Sequence, residues 1–213
     1  MQANARGLVA SLAIASILVL VVAGTPGVTE AKVFAGRKDA LAEAFPTAVR
    51  IDEKTHVLGD ELAARCERHA RAQLDSRLVT LYTAWGEAGV LGYAHISIHN
   101  VRTKPEALLI VLTPSGQVRS VRILAFHEPL DYLPAGRWYD QFEGSTQEAP
   151  LRIGRDIHGV VGSTLSARAA SEAVRHALAF YELLVRPEVI HGSNFGRPEE
   201  EPPRRETIGA KQG

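Results

Sequence analysis

Apolar positions along this chain recur in two rhythms. The flanking segments carry them three and four apart, the spacing of one helix face, and the middle carries them in short strand-like blocks. Residues 37–46 predict a short helix with Ala40, Leu41, Ala44 and Phe45 on its apolar side and Pro46 as its stop. Residues 60–75 predict a second helix, in which Leu62, Cys66 and Leu74 fall near one face. From residue 78 the period changes. Leu78–Trp85 and Val90–His99 have strand composition, with a turn over Gly86–Gly89. Residues 107–113 and 118–126 form the clearest pair, joined by Pro114-Ser115-Gly116. In the second of these, Arg119, Val121, Ile123 and Ala125 are expected on one face and Arg122 on the other, as in a half-buried antiparallel hairpin. Helical spacing returns late in the chain, where Val174, Ala177, Leu178 and Tyr181 share a face.

The pattern predicts an α+β fold, a small antiparallel sheet with helices packed on it. The expected divisions are 1–31 as a targeting segment, 32–77 as an N-terminal helical layer, 78–187 as the main domain and 188–213 as a disordered tail. The first division rests on an uncharged apolar run, Leu8 to Ala23, preceded by Arg6. That run is longer than an ordinary signal-peptide core and short for a membrane span, so a cleaved signal and an uncleaved anchor are both open. Either predicts export to the periplasm or the extracytoplasmic face of the inner membrane. The tail rests on loss of periodicity after Leu184 and on the Pro-Glu-Glu-Glu-Pro-Pro-Arg-Arg run.

Charge narrows the function. Lys plus Arg number 24 and Asp plus Glu number 24, which is not the balance of a nucleic-acid binder. Cys66 is the one cysteine and has no internal disulfide partner; a packing role is expected for it. There is no Gly-x-Gly-x-x-Gly element, no Walker loop and no readable Ser/His/Asp arrangement. His95, His99, His127 and His158 lack the tight Cys/His spacing of known metal sites, and no metal is expected.

The candidate chemistry lies in the loop that opens the last helix, Gly162-Ser163-Thr164-Leu165-Ser166. Three hydroxyls and a glycine stand where a helix presents unpaired N–H groups, a setting that attracts phosphate. The plain alternative is an ordinary N-cap, with Ser163, Thr164 or Ser166 accepting from the first turn.

The stretch from Asp156 to Ser166 resembles the signature of the FMN-binding domain of the RnfG/NqrC type, Asp-x-x-Ser/Thr-Gly-Ala-Thr-x-Ser/Thr before a helix. Gly162, Thr164 and Ser166 match it. His158 stands where that family has Asp, Val161 where it has Ser or Thr, and Ser163 where it has Ala. Residues 93–106 resemble the segment leading into the central strands of a subgroup of these proteins, and residues 126–143 its following loop, with Glu128-Pro129, Arg137-Trp138 and Gln141-Phe142 as the matching elements. The resemblance spans about residues 78–185. It implies an exported FMN-binding electron-transfer protein that works with membrane-associated redox proteins. It also implies FMN held either non-covalently or by a phosphoester to Thr164 installed by a flavin transferase. Gly162, Ser163 and Ser166 would line the phosphate loop, and His158 would replace an acidic neighbour of the phosphate by a titratable cation-former. Arg102 and Lys104 are candidates to balance the phosphate or the reduced flavin, with ordinary solvated charges between strands as the alternative. Trp138, Tyr139 and Tyr132 are candidates to stack on the rings, with core or rim packing, the commoner role of large aromatics at such positions, as the alternative. An electron carrier needs no general acid or base, so it is favoured over an enzyme with its own substrate. A flavin-free sensory module of the same fold and a flavin-dependent reductase are the alternatives.

Overall fold

The structure, a computed structural model, describes residues 32–187. The targeting segment 1–31 and the tail 188–213 lie outside the described residues. In chain order come β1 (Lys32–Val33), α1 (Arg37–Ala44), β2 (Arg50–Val57), α2 (Asp60–Ala70), β3 (Leu78–Gly86), β4 (Gly89–Asn100), β5 (Pro105–Leu112), β6 (Val118–Phe126) and α3 (Thr164–Phe180). Turns of 3₁₀ type occupy Leu130–Tyr132 and Gly136–Phe142, and a π-helical turn, Tyr181–Val185, continues α3. The strands form one sheet in the order β1-β6-β5-β4-β3-β2, every pair antiparallel, so the fold is α+β.

The most apolar block of the sequence takes an inner place in the sheet. Leu108, Ile110 and Leu112 of β5 face α3, and Leu109 and Val111 face α1. The hairpin is therefore covered on both sides rather than half buried, which is why β5 reads as a continuous apolar run instead of an alternating one. Val174, Ala177 and Leu178 of α3, with Tyr181 of the π-helical turn, all pack in the first of these cores. Alpha-helix α2 lies beside α3 and closes a third cluster, with Ala63 and Cys66 against Val79, Leu81 and Phe180. Cys66 is fully buried, and burial pushes its thiol pKa up, as suits a packing residue.

Three further expectations need correction. Residues 32–77 are not a purely helical layer, since they supply both edges of the sheet, β1 and β2. Strand β2 is mostly charged and exposed, so no apolar period announces it. It is held by backbone pairing along β3, from Arg50 opposite Trp85 to Val57 opposite Leu78, and a charged edge of this kind resists further strand pairing. Secondly, α2 ends at Ala70, where Arg71 turns left-handed (φ 53°) and Glu67 accepts from Leu74 N–H at 3.2 Å. Thirdly, the face assigned to β6 breaks. Register shifts against β5 leave Val118, Val121 and Ile123 on the α3 side, while Arg119 lies over the Phe45 ring and donates to the Ala44 carbonyl at the end of α1.

Candidate functional site

Segments remote in sequence meet at the N-terminal end of α3. The first is the β4–β5 connection, residues 101–104. Its shape is set by Glu128, a buried carboxylate just after β6. Glu128 Oε1 accepts from Thr103 N–H at 2.8 Å, Lys104 N–H at 2.9 Å and the Thr103 hydroxyl at 3.3 Å. The Thr103 backbone bond is the main reason the Glu128 pKa lies below its ordinary value, with Lys104 N–H, the Thr103 hydroxyl and the Arg102 charge adding to it. The turn places the Arg102 guanidinium over the Tyr132 ring, 5.1 Å from its centroid.

The second segment is the 3₁₀ turn at Leu130–Tyr132. The Ser166 hydroxyl donates to the Tyr132 carbonyl at 2.6 Å, and the Ser163 hydroxyl to the Asp131 carbonyl at 3.4 Å. Both serines are buried, and their hydroxyl protons tie the start of α3 to this turn.

The third segment is the loop itself. Gly162 has φ +86°, a conformation that side chains with Cβ resist, although no neighbouring atom would touch a Cβ there. Its glycine requirement is conformational and not one of space. The first backbone bond of the helix runs from Ala167 N–H to the Ser163 carbonyl at 2.9 Å. The N–H groups of Thr164, Leu165 and Ser166 precede that bond, and no side chain caps them. The N-cap alternative raised by the sequence is thus not what the hydroxyls do. Thr164 is exposed, with its hydroxyl 3.5 Å from the Val160 carbonyl.

Together these segments enclose a recess of about 130 Å³, lined by Val101, Arg102, Tyr132 and residues 162–166. Of the residues singled out in the sequence, Arg102, Gly162, Ser163, Thr164 and Ser166 converge here, and Tyr132 with them. The donor set suits a phosphate: three helix-terminal N–H groups, a guanidinium and a hydroxyl. The size suits the phosphate end of FMN only. Sites that enclose a whole ligand of that class run to about 300–1,000 Å³, so a flavin held here carries its rings outside the recess.

Four of the residues singled out do not line the recess: Trp138, Tyr139, His158 and Lys104. Trp138 is in the core, edge-on to Tyr139 and Phe142 at 5.1 and 5.3 Å, and is 8 % exposed. It offers no face for stacking. Its indole N–H donates to the His158 carbonyl at 2.7 Å. Gln141 accepts from His158 N–H at 2.8 Å and donates to the Trp138 carbonyl at 2.9 Å. The clasp holds the chain ahead of the loop, so Trp138 positions the loop from behind. His158 is exposed and its side chain is not among those lining the recess. Tyr139 is likewise buried; burial, followed by the Glu106 charge, raises its pKa.

The remaining histidines are engaged separately, and among the described residues no three His, Cys, Asp or Glu side chains gather as a metal site requires. His95 Nδ1 meets the Thr80 carbonyl at 3.0 Å, and burial pulls its pKa down to about 4. His99 Nε2 lies 3.2 Å from Glu106 Oε2, and the Tyr139 hydroxyl donates to Glu106 Oε1 at 3.3 Å, a polar network inside the α3-side core. His99 faces Glu106 because Asn100 pairs with Pro105 across the turn. His95 and Ser97 also line a cleft of about 280 Å³ between β3, β4 and the His176–Phe180 stretch of α3.

Sequence reasoning missed the part played by Glu128. No local spacing links it to Thr103, because the two meet only through the register of β5 and β6. No protein-family model matches the chain, and no curated protein matches it.

Proposed function

We propose that the protein binds FMN by its phosphate at the start of α3 and serves as an electron-transfer protein of the cell envelope. The observation that carries this reading is the uncapped first turn of α3 opening on a recess that Arg102 lines and that exposed Thr164 borders. FMN supplies one- or two-electron transfer at its rings. The chain's own part is binding and orientation. The N–H groups of 164–166 and the Arg102 guanidinium hold the phosphate, Glu128 holds the turn that carries Arg102, and the clasp of Trp138, Gln141 and His158 sets the approach of the loop. Thr164 is the one loop hydroxyl exposed to a modifying enzyme, so it is the acceptor if a flavin transferase attaches FMN covalently. The resemblance to the RnfG/NqrC flavin loop supports the same assignment.

The full chain, produced with and without an exported flavin transferase, tests it. The visible spectrum and the intact mass after denaturation are read. Yellow protein whose mass retains one FMN, lost in Thr164→Ala, establishes the phosphoester. Yellow protein that releases FMN on denaturation establishes non-covalent binding. Colourless protein that cannot be loaded with FMN sinks the reading in favour of a flavin-free module. The β3–β4 cleft favours one second reading, a flavin-dependent reductase with its own substrate. Turnover that depends on an added substrate distinguishes it from a carrier.

A further inference from the structure

The apolar surface of the molecule is gathered at one end. The sheet registers align Val57 with Leu78, Ile98 with Ala107, and Ala107 with Ala125, which pairs with Val33 of β1. Leu78 and Ile98 stand near the same level of β3 and β4. Val33, Val57, Leu78 and Ile98 are each more than 60 % exposed, at the end of the sheet that α1 does not cover. Around the recess at this same end, Leu130, Leu165 and Val161 are also exposed, Val161 completely. At the opposite end, with the β3–β4 and β5–β6 turns, Val49 is the exposed large hydrophobic among the described residues. Single exposed aliphatics are ordinary; their segregation to one pole is not.

Two further observations say what covers this pole. Exposed or half-exposed cations stand among these side chains: Lys32 beside the Phe34 ring, Arg102 over Tyr132, then Lys104 and Arg168. The carboxylates there are Asp131 near the recess, Glu128 and Glu106, both buried and bonded, and, beyond β3, Asp60, Glu61 and Asp75, where Arg77 pairs with Asp60. The half that holds β1 and the recess is therefore cationic and apolar together. The chain also enters β1 at this pole, because Lys32 pairs with Phe126 and Phe126 with Glu106, next to the β4–β5 turn. The apolar run Leu8–Ala23 lies just upstream, and residues 24–31 span at most about 30 Å when extended.

We infer that this pole, which includes the recess, docks on an anionic lipid bilayer. Aliphatic side chains enter the interface and the cations meet phosphate headgroups, as on other interfacial protein surfaces. A group held at the start of α3 then faces the membrane, within reach of lipid-soluble or membrane-embedded redox partners. The docking itself does not depend on flavin.

The test uses the full chain with one added cysteine, at Ile98→Cys, Val161→Cys or, as a far-end control, Glu87→Cys, each carrying an environment-sensitive fluorophore. Cys66 is buried and stays unlabelled. Vesicles of phosphatidylcholine and phosphatidylglycerol are made with and without brominated acyl chains. The expected result is blue-shifted emission quenched by brominated chains at positions 98 and 161 and not at 87, weakened several-fold when phosphatidylglycerol is left out. Labels at 98 and 161 as open to aqueous iodide as the label at 87, on vesicles that carry the protein, overturn the inference. So does protein that stays off the vesicles, shielding equal on neutral lipid, or shielding without lipid that grows with protein concentration, which would mean that a second copy covers the pole.

Discussion

Glu128 should hold the recess in shape, and truncating it should damage stability and phosphate binding by separable amounts. Glu128→Ala removes the acceptor for Thr103 N–H and Lys104 N–H, at 2.8 and 2.9 Å, and for the Thr103 hydroxyl. Thr103 is exposed and Lys104 half-buried, so water reaches the freed N–H groups, and the loss is that of the charge-assisted bonding itself, about 1.5–3 kcal/mol. Glu128→Gln keeps a carbonyl oxygen in the same place and loses only the charge assistance, about 1 kcal/mol. Urea unfolding of the two variants against the parent measures both. The second readout is FMN affinity, from quenching of flavin fluorescence. If FMN binds as proposed, Arg102→Ala removes a charge-assisted contact to its phosphate of about 1.5–3 kcal/mol, roughly a 10- to 150-fold weaker Kd. Glu128→Ala should weaken binding through the same guanidinium, so the double variant should be little worse than Arg102→Ala alone. Fully additive losses would show that Glu128 and Arg102 act independently and would refute the coupling; an unchanged unfolding midpoint for Glu128→Ala would refute its structural basis as well. The stability measurement decides its part whether or not FMN binds.

Gly162→Ala, forced to hold φ +86°, should cost about 1–2 kcal/mol of stability and weaken FMN retention, both read by thermal unfolding with and without the flavin. Trp138→Phe removes the indole N–H from the His158 carbonyl at a cost of about 1 kcal/mol; an unchanged flavin absorption band is expected, and a shifted band would put Trp138 back against the rings. For His95, burial depresses the folded pKa to about 4 from 6.5, so the unfolded chain takes up a proton on acidification before the folded one does. Its contribution is complete above pH 6.5 and is lost as the pH falls towards 4, by at most about 3 kcal/mol. His95→Asn should flatten the stability profile across that window, and urea midpoints measured from pH 7 to 4.5 check it. Glu128, whose folded pKa is lowered, stabilises above its ordinary value of 4.5 and loses that contribution only as the pH falls through its lower folded pKa; Glu128→Gln should therefore leave the His95 window unchanged.

The helix at 37–46, the strands from 78 to 126 and the apolar face of α3 were legible in the chain, because each depends on a local period and on turn residues that act within a few positions. The α+β class follows from those elements. The loop at 162–166 was legible as the start of a helix for the same reason: a helix start needs only its own residues. Strand β2 was not legible, since its stability lies in backbone pairing with β3 and its side chains carry no burial pattern. The β6 faces were misread because register shifts against β5 reverse the alternation, and only the pairing reveals them. Trp138 was open to stacking or to core packing because an aromatic in a loop has no local signal for burial; its place in the core was decided by Tyr139, Phe142 and the His158 carbonyl. The site shows the division most plainly. Sequence alone determined that Gly162, Thr164 and Ser166 open a helix. Tertiary structure decided that Arg102 and Tyr132 stand before it, through a carboxylate at residue 128 whose partners, Thr103 and Lys104, are brought near by the pairing of β5 with β6.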